Sequence, residues 1–279
     1  MAELAGCDRP IYNASAGADS RSALGARALR AMAAAPGLAR EDISREAERF
    51  ADYGYTMQFD MYFLSLWIES GVLAEVVTFV GEEQLDLATR AGRGALVLPL
   101  HIGPSYSAPF LVARTHPTTF VYNRANISEL QQIAFPTLDV EGFPLDSGDT
   151  FRRAMRALSQ GRAFSMFPEY DPRGSVARHL ATAQFFGAEI DAPLGPAILS
   201  RMARCPIVPL TVERGRRGGS YTVTYHDVIA PPTDEEGCAT TTQRLWKLIE
   251  SELLRVGFGD WEIWFDFERM LRSAARSER

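Results

Sequence analysis

The chain has 279 residues, 46% of them hydrophobic and 23% charged, with a formal net charge of −6. That is enough for a sizeable core in one large α/β domain or two small ones, and the acidic balance excludes bulk attraction to duplex nucleic acid or anionic lipid. Lys247 is the only lysine, so almost all positive charge is arginine, whose planar fork suits phosphate or carboxylate.

Cys7, Cys205 and Cys238 lie far apart and follow no metal-ligand spacing. A reducing cytoplasm is the expected compartment, and no metal is expected. No charged stretch followed by an apolar run opens the chain, so no secretory leader is read. The most apolar segment, residues 61–80, is interrupted by Glu69, Gly71 and Glu75. It is too broken to span a bilayer, so membrane contact is expected to be peripheral at most.

Residues 1–20 are small and polar and are read as a mobile N-terminus. Residues 21–75 read as a helical segment, with helices predicted over 20–35, 40–53 and 59–70. The last is very apolar and stops at Gly71. It fits a core helix, or a surface that touches lipid or a carrier protein. The remainder, 76–279, reads as an α/β domain that forms one compact unit with the helical segment. A short strand at 76–80 precedes a helix at 81–90, with acid in its first turn and Arg90 at its end, as the helix dipole favours.

The buried strand Ala95–Leu100 follows and stops at His101. Gly103 and Pro104 force a turn, and Ser105 is the predicted N-cap of a helix running to about Thr115. Strands are predicted at 118–122, 163–167, 207–212 and 220–225, and helices at 149–160, 193–203 and 240–256. Trp261-Glu-Ile-Trp264 opens the tail. Strands alternating with helices imply a three-layer α/β/α fold around a mostly parallel sheet.

In a parallel sheet the strand ends share one edge, which is where open α/β folds bind ligands. Three predicted strand ends carry polar groups there: His101, Asn123-Arg124 and Glu169. His is the side chain best suited to take a proton near neutral pH, although a lone His also fits a bland role as a strand cap. Glu169, Asp171 and Arg173 share a Pro/Gly turn that can hold a cationic or hydroxylated substrate, or can simply be solvated. Phe185 and Phe186 fit an acyl slot or the core.

These elements in this order resemble the lysophospholipid acyltransferase-like superfamily, most closely the branch that acylates lipid A and phosphatidylinositol mannosides. The resemblance rests on Gly92-Arg-Gly94, the His101 strand end, Val121-Tyr-Asn-Arg124, Phe151-Arg152, Phe167-Pro-Glu169, Phe185-Phe-Gly187, Gly195-Pro-Ala197 and Ile207-Val-Pro209. It spans about residues 75–265. It implies an acyltransferase with His101 as general base and with Glu169 and Arg124 holding the acceptor; Tyr106, and Asp171 and Arg173 of the Pro/Gly turn, complete the expected substrate-binding set. Phe185 and Phe186 would flank the acyl chain, and backbone N–H groups from Gly103 onward would steady the oxyanion. The implied donor is a thioester, on coenzyme A or an acyl carrier protein, with no bound cofactor. The implied acceptor is an amine or hydroxyl on a small molecule or lipid.

One position departs from the family. A carboxylate usually stands five residues after the His, to orient the ring and stabilise its cation. Here that residue is Tyr106, a neutral phenol able to accept a hydrogen bond from the imidazole. Three readings stay open: an acceptor such as an amine that needs less activation, charge supplied by another carboxylate such as Glu169, or loss of catalysis in a protein that only binds acyl chains or lipid. The family's N-terminal membrane anchor is not read either, which suggests a soluble building block from a specialised-metabolite pathway. A Ser hydrolase is disfavoured, because no Gly-x-Ser-x-Gly elbow occurs.

Overall fold

In the computed structural model, residues 21–90, 92–122, 135–145, 148–169, 179–215 and 220–272 are described, the side chains at 21, 22, 53–59, 61, 62 and 65 excepted. The N-terminus expected to be mobile lies outside them. Strand β2 (Leu96–Pro99) is buried throughout. Leu96 and Leu98 enter one hydrophobic cluster, while Ala95 and Val97 enter another on the opposite face. This two-sided burial is what a continuous apolar run means in a covered parallel sheet. Pro99 is tolerated because its missing N–H would face the neighbouring strand beyond Val97, where pairing has already ended.

The other strands are β1 (Val77–Val80), β3 (Thr118–Tyr122), β4 (Val140–Pro144), β5 (Ala163–Ser165), β6 (Leu180–Phe185), β7 (Ala188–Pro193), β8 (Ile207–Arg214) and β9 (Tyr221–Tyr225). Among the described residues, seven form one sheet in the order β1-β9-β8-β2-β5-β3-β4, and β6 and β7 form a separate hairpin. Every pair in the large sheet is parallel except β8 with β9. Helices cover both faces. On one side, after the single turn α3 (Leu73–Val76), α4 (Glu83–Thr89) and α5 (Ala108–Ala113) contribute Leu85, Phe110 and Val112. On the other, α6 (Thr150–Ser159), α7 (Gly195–Ala203) and α8 (Glu235–Val256) contribute Leu158, Leu199 and Leu245. The three-layer, mostly parallel architecture is therefore the observed one.

At the N-terminal side, α1 (Arg21–Ala33) packs on α2 (Arg40–Ser70). Their Met32, Ile43 and Phe50 share a cluster with Trp246, Trp261 and Trp264. The two helices expected at 40–53 and 59–70 are one continuous helix. A single Gly54 costs only about 1 kcal/mol in a helix interior and does not break it. The helix stops at Gly71, whose φ of 77° lets its N–H reach back to the Ile68 carbonyl. Its apolar end divides its faces: Leu64 is buried, whereas Phe63 and Leu66 are exposed. Among the described residues, no helix is long and apolar enough to cross a membrane.

Three further features differ from the expectation. Strand β4 was not foreseen, nor was the hairpin at residues 180–193. Phe186 and Gly187 form its two-residue turn, with φ of 46° and 75°. Both positive values match the turn that suits the twist of paired strands, but Phe is an uncommon residue in that region. Ser105 also does not cap a long helix. It opens a short 3-10 turn (Ser105–Ser107), and α5 begins only at Ala108, with Pro109 in its first turn.

Candidate active site

Strands β2 and β5 are parallel neighbours, with Leu96 opposite Phe164 and Val97 opposite Ser165. Their C-terminal ends open on one edge of the sheet. His101 follows β2, and Met166-Phe-Pro-Glu169 follows β5 and curls back toward it. Glu169 Oε1 accepts the His101 backbone N–H at 2.6 Å, and Glu169 Oε2 lies 2.9 Å from His101 Nδ1. A carboxylate can only accept here, so Nδ1 carries the ring proton. In a neutral imidazole held this way the lone pair is on Nε2. Nε2 makes no hydrogen bond to a described residue.

Glu169 is fully buried and His101 is 6% exposed. Polar groups this deep need partners, and these two supply each other's. Phe167 lies across the imidazole face, with ring centroids 3.8 Å apart at 25°. Tyr106 meets the imidazole edge-on at 5.9 Å and leans on Phe167 at 5.2 Å. Three rings thus touch one another around the His101 side chain.

The chain's tail forms the other wall. Ile102 pairs antiparallel with Trp261, the Gly103 N–H donates to the Asp260 carbonyl at 3.0 Å, and the Glu262 N–H donates to the His101 carbonyl at 2.9 Å. Gly103 has φ of 60°, and a Cβ there would run into the Val212 carbonyl oxygen. Glycine alone fits. The Glu262 side chain is buried, and its Oε1 accepts the Tyr106 hydroxyl at 2.7 Å.

Helix α2 holds this tail in place. Arg49 Nε donates to Asp260 Oδ1 at 2.8 Å, and Glu46 Oε2 accepts the Gly259 N–H at 2.8 Å. Burial pushes the Asp260 carboxyl above the usual carboxylate range, and Arg49 beside it pulls it part of the way back.

The structure brings together His101 and Glu169, two of the three strand ends, and sets Tyr106 beside them. Arg124, Asp171 and Arg173 lie outside the described residues. Other expectations are corrected. Gly103 is not an oxyanion donor in this arrangement, because its N–H is committed to Asp260 and the next residue is Pro104. Phe185 and Phe186 do not line an open acyl slot. Phe185 is fully enclosed by Trp246 at 5.0 Å, Trp261 at 4.9 Å and Phe267 at 5.7 Å, and Phe186 is 2% exposed at the hairpin turn. They share their cluster with Leu100 and Ile102, and so support the His101 turn from behind. Tyr106 does not accept from Nδ1, which faces Glu169; its hydroxyl donates to Glu262 instead.

Sequence reasoning passed over Phe167 and Glu262. Phe167 was visible beside Glu169 and was read only as part of a motif. Glu262 carried one signal, a carboxylate set between Trp261 and Trp264 in an apolar tail, which has to find a partner when buried. Among the described residues, no cluster of His, Cys, Asp or Glu is arranged to hold a metal.

A family model described as bacterial lipid A biosynthesis acyltransferase matches residues 39–266. The chain belongs to this family. It is accordingly an acyltransferase, within the superfamily its motifs resemble. The match begins one residue before α2 and ends at Asp266, so it takes in the helix that carries Glu46 and Arg49, the His101 turn, Glu169 and the tail with Glu262. Among solved structures, the chain is similar to the 1-acyl-sn-glycerophosphate (LPA) acyltransferase PlsC from Thermotoga maritima, at 16% identity over 82% of this chain and 88% of that one, with a TM-score of 0.43. No curated protein matches the chain.

Proposed function

We propose that this member of the lipid A acyltransferase family moves an acyl group from a thioester to a hydroxyl or amine, with His101 as general base and Glu169 as its charge partner. The observation that carries the reading is the buried carboxylate 2.9 Å from His101 Nδ1, which leaves Nε2 as the basic nitrogen. Nε2 takes the proton of the acceptor O–H or N–H as that atom attacks the thioester carbonyl. A C–O or C–N bond forms, and the carbonyl electron pair moves onto oxygen. The tetrahedral intermediate collapses, the C–S bond breaks, and the departing sulfur receives the proton from the imidazolium. The products are the acylated acceptor and a free thiol. Glu169 holds the tautomer and stabilises the imidazolium without taking the proton itself.

This geometry favours the second of the three readings of Tyr106, in which another carboxylate supplies the missing charge. A protein that kept the pocket only for binding has no need of an ionised partner locked onto the ring. The donor is an acyl thioester on coenzyme A or a carrier protein, and the acceptor is a small molecule or lipid.

The test pairs acyl-coenzyme A and acyl-carrier donors with a panel of amines, alcohols and lysolipids, read by mass spectrometry of products. Wild-type protein forms an acylated product. His101→Ala lowers kcat by at least about a hundredfold, the usual scale of general-base loss. KM changes little, because the imidazole acts mainly in the transition state. An unchanged kcat in a folded His101→Ala protein would remove His101 from the mechanism.

A further inference from the structure

We infer that Glu262 is a positioning residue for the reaction, holding Tyr106 against His101 so that the imidazole keeps one orientation. The inference rests on the reading of His101 as the base. Glu262 touches the His101 turn at both of its ends. Its backbone N–H donates to the His101 carbonyl at 2.9 Å, and its carboxylate accepts the Tyr106 hydroxyl at 2.7 Å. One residue from the tail, 156 positions beyond Tyr106, therefore closes the loop that runs from the base to the phenol.

Among the described residues, three side chains restrain the imidazole. Glu169 holds its Nδ1 edge, Phe167 covers its face, and Tyr106 meets it edge-on. The first two come from the loop after β5. The third depends on the phenol being held, and the buried Glu262 carboxylate accepts its hydroxyl. A hydrogen bond to a carboxylate is roughly twice as strong as one between neutral groups, so the ring is fixed more firmly than packing alone would fix it. The tail is itself anchored: Arg49 binds Asp260, and Glu46 binds the Gly259 N–H. The chain of contacts runs from α2 through the tail and Tyr106 to the base.

The family's carboxylate five residues after the His is therefore not simply lost. Tyr106 occupies that position, and a carboxylate reaches it from Glu262. A misplacement of about 1 Å in a catalytic group can cost about a hundredfold in rate, so a second support for the ring is a kinetic device.

The experiment uses purified full-length protein carrying Glu262→Gln, Glu262→Leu or Tyr106→Phe, and the double variant Glu262→Leu with Tyr106→Phe. Glu262→Leu is expected to lower kcat about tenfold, within the range for a displaced group, with KM within about twofold. Glu262→Gln still accepts the phenol proton and retains most of the activity. Tyr106→Phe keeps the ring and loses the tether, so it matches Glu262→Leu, and the double variant is no worse than either single one. Additive losses, or a fully active Tyr106→Phe enzyme, would overturn the proposal.

A second measurement needs no substrate. Carbethoxylation of His101 by diethyl pyrocarbonate is followed by peptide mass spectrometry, with His116 as the internal control. Glu262→Leu changes the rate at His101 and not at His116, and adds nothing in the Tyr106→Phe background. That pattern in a protein that transfers no acyl group would sink the base reading and leave the positioning intact. Unaltered His101 reactivity together with unaltered kcat would sink the positioning and leave the base.

Discussion

Glu169 grips His101 twice, accepting its backbone N–H at 2.6 Å and meeting its ring nitrogen Nδ1 at 2.9 Å. One fully buried carboxylate thus fixes the end of β2 and the tautomer of the ring together. The two consequences separate by substitution. Glu169→Gln keeps an oxygen for one donor but loses the charge that stabilises the imidazolium, and kcat should fall by about a hundredfold or more. Glu169→Ala should lose the same activity and also leave the His101 N–H without its partner, lowering stability by about 1–3 kcal/mol. Turnover and urea unfolding of the two variants check this. Equal stability of Glu169→Ala and wild type would mean that the backbone contact contributes nothing.

Much of this site was legible because it lies at strand ends. The run Ala95–Leu100 had no polar residue to mark a face, so it had to be a central strand, and His101 followed as the first polar group past it. Glu169 ended a similar run, and parallel pairing of adjacent strands does the rest. The tail was not legible. Glu262 reaches Tyr106 through a tertiary contact 156 residues long, and no periodicity records such a pairing. The hairpin at 180–193 was missed for a local reason. Its turn is Phe-Gly rather than the Asn-Gly or Asp-Gly that announces two positive φ values, and its Phe pair, which fits an acyl slot or the core by residue type, packs the core.

Gly103 offers a sharper test of the turn. Its φ is 60°, and a Cβ would meet the Val212 carbonyl, a backbone atom that cannot move aside. Gly92 has a comparable φ of 72° with nothing near its Cβ position. Gly92→Ala should therefore cost only the conformational penalty, about 1 kcal/mol, whereas Gly103→Ala should cost about 2 kcal/mol or more and abolish turnover. Chemical denaturation of both variants makes the comparison. Equal costs would show that the close approach to Val212 is not a constraint.

The Arg49–Asp260 contact carries a pH signature. Burial raises the Asp260 carboxyl above its usual range, so the folded state holds that proton more tightly than the unfolded state. The group's contribution to stability is then largest at low pH and is lost as pH rises through the folded value. Arg49 opposes the loss by lowering the carboxyl. Arg49→Ala should thus cost less at acidic pH, where more of Asp260 is protonated, than at neutral pH, where it should cost about 1 kcal/mol, a figure kept small because Arg49 is 44% exposed. Melting curves across that range decide it. A penalty that shrinks as pH rises would reverse the assignment.

Tyr106→Glu would place the family's carboxylate back in its usual position. Here that position faces Glu262, whose Oε1 accepts the phenol hydrogen bond at 2.7 Å. Two carboxylates that close in a buried site cannot both stay ionised, so one must take up a proton or the turn must open. Tyr106→Glu should therefore lower stability by about 2 kcal/mol or more at neutral pH and reduce turnover. Restoring a donor should reverse part of the damage. Tyr106→Glu combined with Glu262→Tyr re-creates one phenol and one carboxylate with their roles exchanged, and should recover more activity than Glu262→Tyr alone. Turnover and thermal melting of the two single variants and the exchanged pair form a complete cycle. If Tyr106→Glu alone is as stable and as active as wild type, the two positions do not face each other closely enough to couple, and the tether between them is not what orients the base.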